Sequence, residues 1–152
     1  LLCESNGKST TRTGEPVSGH TAPVIFGELG TVAQHSFFQL LHAGTQTVPV
    51  SFTASRYTQL GQTDQPANRA HIMAQMTLMR DRGTPVQLLI ADRLMPETVG
   101  ALIAIYDNMA VFQGILWRLN PFDQPGVESG KQHAAAIIAG DQAPDPELAA
   151  FL

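Results

Sequence analysis

The sequence has very little cysteine and no concentration of positive charge, and both absences exclude classes of protein. Cys3 is the one cysteine among 152 residues, so no disulfide can form within the chain and a reducing compartment is expected. The nine Lys and Arg residues are scattered along a chain of net charge −4, whereas a nucleic-acid-binding protein normally carries a basic stripe or patch. We therefore expect a cytoplasmic protein that does not bind nucleic acid.

Long uninterrupted apolar runs are also absent. The most apolar segment, VGALIAIYDNMAVFQGILW (99–117), is interrupted by Asp107, Asn108 and Gln113. These polar residues favour a buried helix over a membrane span, and the first residues lack the charged and apolar regions of a secretory signal. The chain begins with Leu1 and not with methionine, so we expect it to be part of a longer protein.

The apolar residues that are present alternate between two periodicities. Short β-branched runs of strand length are separated by longer segments with apolar residues at helical spacing, a pattern typical of βαβ units with a parallel sheet. The predicted strands cover 23–28, 47–52 and 85–94. The predicted helices run from Thr31, as N-cap, to Gly44, over 67–83, from Pro96, and from about Gly126 to Gly140. The predicted fold is an α/β three-layer αβα sandwich with a mostly parallel sheet.

The two ends of the chain are predicted to be less regular. Residues 4–22 are polar and rich in Gly, Ser and Thr, which indicates turns or a short hairpin about Asn6 and Gly7. Residues 141–152 form a tail in which Asp145 and Pro146 could cap a last short helix.

Two motifs suggest ligand binding, each with an ordinary alternative. The string SNGKST (5–10) resembles the end of a P-loop, but the position that needs the first glycine holds Leu2, so we reject a nucleotide site. Glu28 lies where a strand should end and a helix begin, which is where ligands bind in open α/β sheets. An acid near a helix N-terminus is equally typical of ordinary dipole complementarity.

The histidines do not predict a metal site. His35 falls in the first turn predicted after Thr31, where the helix N-terminus disfavours an imidazolium and leaves a neutral ring that can accept a proton. A polar side chain with a backbone hydrogen bond is the ordinary alternative for such a histidine. Three other histidines lack metal-ligand spacing with it or with Cys3; they are His42, His71 and His133.

The stretch FDQPGVESGK (122–131) concentrates charged and polar residues in a chain with 14% charged residues. If a helix begins close to Gln124, two turns place Gln124 and Lys131 on one face. Glu128 lies three residues before Lys131, and a solvated surface pair is the alternative that residue type and spacing leave open.

Four segments together resemble the glucose-6-phosphate isomerase family in their order and approximate spacing. They are ESNGK (4–8), GELGTVAQHSFFQLLHAGT (27–45), GALIAIYD (100–107) and GILWRLNPFDQPGVESGKQ (114–132). The last is the most specific, because every defining position of that family's C-terminal motif is filled. The resemblance extends from Leu1 to about Ile138.

The resemblance implies a role for four residues in an aldose–ketose isomerisation. Glu4 matches the base that moves a proton between C1 and C2 of the sugar through a cis-enediol, because one carboxylate can remove and return a proton on the same face. His35 matches the histidine that assists ring opening and reaches the partner subunit's site. Lys131 matches the lysine that acts on the ring oxygen, and Gln124 matches a glutamine that contacts the substrate.

The resemblance also implies an organisation for the whole enzyme. The chain corresponds to the C-terminal sugar-isomerase domain (1–152), with a lead-in segment over 1–22. The implied partners are a sugar-phosphate substrate, the missing N-terminal domain and a second copy in a homodimer, with no cofactor, no metal and no membrane. The isolated chain is expected to be inactive. A non-catalytic sugar-phosphate-binding module of the same fold is the alternative, and a decayed copy that serves only in assembly is a third possibility.

The chain departs from the family's pattern at several places. Val32 and Ala33 replace a polar, flexible pair that precedes His35, so the start of that helix is expected to differ. The family's C-terminal arm has no counterpart here, which affects the expected subunit contacts.

Overall fold

The computed structural model describes residues 1–58, 66–147 and 149. The chain divides into two compact units. The first unit is Leu1–Val24 with Tyr106–Leu152, and the second unit is Ile25–Ile105. In chain order the helices and strands are α1 (Leu2–Asn6), α2 (Gly30–Ala33), α3 (Phe38–Ala43), β1 (Val50–Tyr57), α4 (Pro66–Asp81), β2 (Val86–Arg93), α5 (Pro96–Leu116) and α6 (Pro125–Ala139).

A parallel pair of strands forms the sheet of the second unit. β1 and β2 pair in register from Val50 opposite Val86 to Tyr57 opposite Arg93. α4 connects them in sequence, as a parallel pair requires a crossover connection. The α/β class and the parallel sheet predicted from the alternating periodicities are therefore confirmed, and so are the strands predicted at 47–52 and 85–94, with bounds shifted by one to five residues.

The core of the second unit lies where α2, α3 and α4 supply apolar side chains. Ala33, Phe38, Leu41 and Met79 are buried, and Phe52 of β1 packs against them with its ring edge-to-face to Phe38 at 6.5 Å between centroids. Such aromatic pairs add stabilisation beyond the area that they bury. Met79 is fully buried there, and a flexible thioether adapts readily to the space among its neighbours. This core holds α3 and α4 to the sheet.

The single helix predicted from Thr31 to Gly44 is wrong. α2 ends at Ala33 and α3 begins at Phe38, with turns between them. The Ser36 hydroxyl donates to the Ala33 carbonyl at 3.3 Å, and the Ser36 and His35 N–H groups bond three residues back. A serine that bonds the backbone in this way competes with the helix. The N-cap residue is Leu29 and not Thr31, while Gly44 caps α3 as expected.

The strand predicted at 23–28 is also wrong. The segment has no regular structure, and Val24, Ile25 and Phe26 are exposed. Apolar composition favours a strand only where a neighbouring strand satisfies its backbone hydrogen bonds, and within the described residues β1 and β2 pair with each other alone.

α5 begins at Pro96, as predicted, but it is not a buried helix in this chain. Ala110 and Gly114 are its buried residues, whereas Leu116 is 79% exposed. Among the residues that the structure describes, α5 is the helix long and apolar enough to cross a membrane, by length and composition only. An apolar helix that packs against further protein meets the same criterion.

The two ends of the chain differ from prediction in one respect. A short helix, α1, occupies the region where turns about Asn6 and Gly7 were expected, and the hairpin-like contact is a bridge between Thr10 and Pro16. Near the other end, the Asp145 carboxylate accepts the Glu147 N–H at 2.8 Å, and the rest of the predicted last helix lies largely outside the described residues.

Candidate active site

Glu4 lies on α1, a helix fixed by its buried neighbours. Glu4 is exposed, while Ser5 and Asn6 are buried. The Asn6 side-chain amide donates to the Ala110 carbonyl of α5 at 2.9 Å. A buried hydrogen bond between residues far apart in sequence restricts the turn more than a local bond does, because it joins two separate elements. Glu4 is thus an exposed carboxylate on an anchored turn.

Gly114 of α5 permits this close approach. A Cβ atom at Gly114 would lie 2.9 Å from ring carbons of Pro121 and 3.0 Å from the Asn6 Oδ1 atom. Real Cβ contacts are longer, so a larger residue would push these groups apart. The buried Asn6 Oδ1 atom has no hydrogen-bond partner, which is a costly arrangement for a buried acceptor. The position of α1 therefore depends on glycine at 114.

Lys8 joins α1 to the loop that precedes α6. Its side chain is 8% exposed, and its Nζ atom donates to the Ser5 carbonyl at 2.5 Å and to the Asn120 carbonyl at 2.6 Å. The same ammonium lies 3.1 Å from the Asp123 Oδ1 atom. We call this set of groups the Lys8 network. It gives the largely buried ammonium two backbone acceptors and a counter-ion, as burial of a charge requires.

The loop that receives Lys8 leads directly into Gln124. The Asn120 amide donates to the Asp123 Oδ2 atom at 2.8 Å, and the Phe122 N–H donates to the Asn120 Oδ1 atom at 3.1 Å. Gln124 follows as the N-cap residue of α6, with proline in the first turn, where a missing N–H is tolerated. The helix predicted from about Gly126 begins at Pro125, so the condition that it begin close to Gln124 is met.

Lys131 lies two turns further along α6 and is exposed. Its ammonium donates to the Glu128 carboxylate at 2.9 Å, with the two side chains 67% and 60% exposed. This is the solvated surface pair that the sequence left open, and exposed pairs of this kind contribute little to stability. α6 ends at Ala139 with Gly140 in the left-handed conformation, as a C-terminal glycine favours.

The structure distributes the four predicted site residues between the two units. Glu4, Gln124 and Lys131 belong to the first unit, and His35 belongs to the second. His35 is exposed in the turn between α2 and α3. Glu28 is exposed too, and its carboxylate accepts the Leu29 N–H at 2.8 Å, which is the ordinary alternative for an acid before a helix.

A cleft of about 310 Å³ lies beside the Lys8 network in the first unit. Its polar lining includes Lys8, Thr10, Arg12 and Asp123, and Phe122 contributes to its apolar lining. None of the four predicted site residues lines it. Across the ranges that the structure describes, no group of three His, Cys, Asp or Glu side chains is arranged to hold a metal ion.

Sequence analysis assigned no role to Lys8, Asn6 or Asp123. No Lys or Arg occupies the four positions before Asp123. That was the available signal that its ion-pair partner lies elsewhere in the chain. The burial of Asn6 had no signal in the sequence, because an Asn-Gly pair is typical of exposed turns.

Comparison with known proteins identifies the same family that four segments of the sequence resemble. A sequence model of phosphoglucose isomerase matches residues 1–81 and 58–148. The glucose-6-phosphate isomerase of Treponema pallidum is 45% identical over 93% of this chain and 30% of its own length. That of Treponema denticola is 40% identical over 99% of this chain and 32% of its own length.

A solved structure shows the same fold. The crystal structure of a glucose-6-phosphate isomerase from Chlamydia trachomatis superposes with a TM-score of 0.79 at 35% identity, and covers 96% of this chain and 32% of that one. The chain spans about a third of the length of these relatives. Because the family model matches almost all of its residues, the chain belongs to the phosphoglucose isomerase family.

Proposed function

We propose that this chain is the C-terminal sugar-isomerase domain of an enzyme that converts glucose 6-phosphate to fructose 6-phosphate. The observation that carries the proposal is the Lys8 network, in a chain of this family. One buried ammonium binds the backbone beside Glu4 and the side chain beside Gln124. The residue proposed to move the proton and the residue proposed to hold the sugar are therefore attached to a common anchor.

Glu4 is proposed to be the acid/base. Its carboxylate removes the proton from C2 of the open-chain aldose, the electron pair forms the C1–C2 double bond, and the C1 oxygen takes up a proton, which gives a cis-enediol. The same group then returns its proton to C1 while the C2 hydroxyl gives up its proton to become the carbonyl, which yields the ketose with no net change in atoms or electrons. An exposed carboxylate on an anchored turn supports this role, because a proton carrier must face the substrate while its backbone stays fixed.

The other three residues are proposed to act on the ring and on binding. Lys131 acts on the ring oxygen and His35 assists ring opening, from the partner subunit in a homodimer. Gln124 contacts the sugar, and as the N-cap residue of α6 its side chain makes no capping hydrogen bond to the helix. Exposure of both Lys131 and His35 supports roles at a surface that further protein would complete.

The proposed enzyme is cytoplasmic and requires no cofactor. Its first domain is proposed to supply the phosphate-binding residues and to cover the apolar side of α5. Asp107 and Gln113 interrupt the apolar sequence of that helix. The charge of Asp107 would be costly within a lipid-facing span. Protein is therefore a better cover for α5 than lipid.

A non-catalytic sugar-phosphate-binding module is the alternative function. A module that only binds needs neither a proton carrier nor a ring-opening pair, so the presence of Glu4, His35 and Lys131 together favours the enzyme. Upstream sequence with a Ser/Thr-rich phosphate loop and a Gly-Gly-Arg motif would further favour the enzyme.

Replacement of Glu4 tests the proposal. In the full-length protein, Glu4→Gln should lower turnover of glucose 6-phosphate about a hundredfold or more and leave KM nearly unchanged, because the amide keeps the shape but cannot carry the proton. A coupled assay that follows fructose 6-phosphate measures both constants. Glu15→Gln is the matched control, since it makes the same replacement at an exposed pair with Arg118. Turnover of Glu4→Gln within tenfold of wild type would reject the assignment.

A further inference from the structure

Lys8 is a largely buried cation that contacts three groups of the protein. An ammonium has three donor hydrogens and no acceptor. Two of its hydrogens are donated to backbone carbonyls, that of Ser5 at 2.5 Å and that of Asn120 at 2.6 Å, and the ammonium forms an ion pair with the Asp123 carboxylate at 3.1 Å. All three contacts are with groups of the protein itself. We therefore look for its role in the groups that it joins.

The groups that Lys8 joins come from opposite ends of the chain. Lys8 and Asn120 are separated by 112 positions. Ser5 is covalently attached to Glu4, and Asp123 is covalently attached to Gln124. A displacement of either segment from the ammonium would consequently change the distance between the backbones of Glu4 and Gln124.

Each of the two segments is also held by hydrogen bonds of its own. On one side, the Asn6 amide binds the Ala110 carbonyl of α5 at 2.9 Å. On the other, Asn120 fixes both the Asp123 carboxylate and the Phe122 N–H. The ammonium thus bridges two preorganised turns, and removal of its charge would leave the Ser5 and Asn120 carbonyls without that donor.

We propose that Lys8 is a positioning residue that sets the Glu4 carboxylate relative to the sugar held at Gln124. The proposal rests on the proposed function of Glu4 and Gln124 and adds a residue that touches neither the substrate nor the reacting atoms. Small errors in the position of a proton carrier have large kinetic effects, about a hundredfold for a displacement of about 1 Å.

The first test replaces Lys8 in the full-length enzyme. Lys8→Met keeps an unbranched side chain of similar length and removes the charge, and it should lower kcat for glucose 6-phosphate at least tenfold, normalised to the folded fraction measured by circular dichroism. Glu15→Gln, which disrupts an exposed ion pair, should stay within twofold. If kcat of Lys8→Met stays within threefold of wild type while Glu4→Gln shows its large loss, the positioning role is overturned and the proposed function is left intact.

The second test separates positioning from a structural role. If Lys8 acts through Glu4, the double variant Lys8→Met/Glu4→Gln should have a kcat within threefold of Glu4→Gln alone, because the group to be positioned is already inactive. Losses that multiply would show that Lys8 acts independently of Glu4 and would overturn the proposal.

A milder variant covers the case in which Lys8→Met does not fold. Asp123→Asn keeps an acceptor near the ammonium and should lower kcat three- to tenfold, whereas an effect within twofold would make Lys8 a folding residue only.

Calorimetric titration with glucose 6-phosphate adds a readout independent of turnover. Weaker binding by Asp123→Asn than by Glu15→Gln supports the link to Gln124, and equal binding by both contradicts it. If the wild-type enzyme binds the sugar phosphate but does not isomerise it, the proposed function has failed, and the positioning role of Lys8 fails with it.

Discussion

At the scale of single residues, the two groups proposed to open the sugar ring differ in what surrounds them. Lys131 is paired with Glu128 on the surface of α6, while His35 projects from a turn that Ser36 helps to form. Neither environment fixes the side chain as tightly as the network around Lys8. Both residues are therefore expected to adopt their working positions only in the assembled enzyme.

Removal of either group should affect ring opening more than proton transfer. His35→Ala and Lys131→Ala in the full-length enzyme are expected to lose more activity on cyclic glucose 6-phosphate than on an open-chain analogue, which bypasses the ring-opening step. His133→Ala is the control, because its exposed ring bonds to the Ser129 carbonyl of its own helix. Equal losses on both substrates would indicate a structural role. Part of the Lys131 loss is expected in KM, since a cation also attracts the phosphate sugar.

The pair between Glu128 and Lys131 should not limit activity. Lys131 must leave Glu128 to reach a ring oxygen, and exposed ion pairs are weak enough for that exchange. Glu128→Gln is accordingly expected to keep kcat within about threefold of wild type and to leave KM unchanged or slightly lower. A loss as large as that of Lys131→Ala would instead show that Glu128 is required to aim the lysine.

At the scale of elements, the contact between α1 and α5 depends on the absence of a side chain at Gly114. Gly114→Ala would place a Cβ atom 2.9 Å from Pro121, whose ring cannot turn aside. We expect a loss of about 1–3 kcal/mol in the free energy of unfolding, as overpacked sites show. Thermal unfolding of the full-length protein would report it as a lower midpoint.

A second helical glycine provides the control for Gly114. A Cβ atom added at Gly130 of α6 would have nothing within 4 Å of it, so Gly130→Ala should stabilise the helix by about 0.5–1 kcal/mol through the better helix propensity of alanine. If both variants shifted the thermal midpoint in the same direction, the close approach at Gly114 would not be the cause.

The elements that sequence predicted well are those determined by local chemistry. α4 and α6 have sustained apolar periodicity, and α6 also has proline in its first turn and Gly140 at its end. The failures have two causes. The segment 23–28 has strand composition but no strand beside it among the described residues, which is a condition set elsewhere in the chain. The break after Ala33 coincides with a local bond from the Ser36 hydroxyl to the Ala33 carbonyl, which apolar periodicity does not reveal.

Sequence could predict the residues of the site that belong to a recognisable motif, but not the contacts between distant segments. Resemblance nominated Glu4, Gln124, His35 and Lys131, and those assignments remain predictions. The network that connects two of them was not predictable, because Lys8 and Asn120 are separated by 112 positions and nothing local pairs them. Burial of Asn6 likewise depends on α5, which follows it by about a hundred residues.

At the scale of the whole molecule, this chain exposes many large apolar side chains. They lie along α5 and α6 among other elements, with Leu116 at 79% and Ile138 at 88% exposed. Monomeric proteins rarely expose large contiguous apolar patches. The chain also spans about a third of its relatives. Both observations agree with a domain whose remaining surface is completed by other parts of an enzyme.

The isolated chain is therefore expected to be inactive. Binding a phosphate dianion takes several converging amides, hydroxyls or cations, and in the part of the chain that the structure describes Lys8 is committed to internal acceptors while Lys131 is paired with Glu128. The binding energy of the phosphate group also positions the sugar for proton transfer. Purified residues 1–152 should bind glucose 6-phosphate no tighter than about millimolar by calorimetry and show no turnover above background in a coupled assay. Addition of the first domain should restore both, and turnover by the isolated chain would show that it holds a complete site.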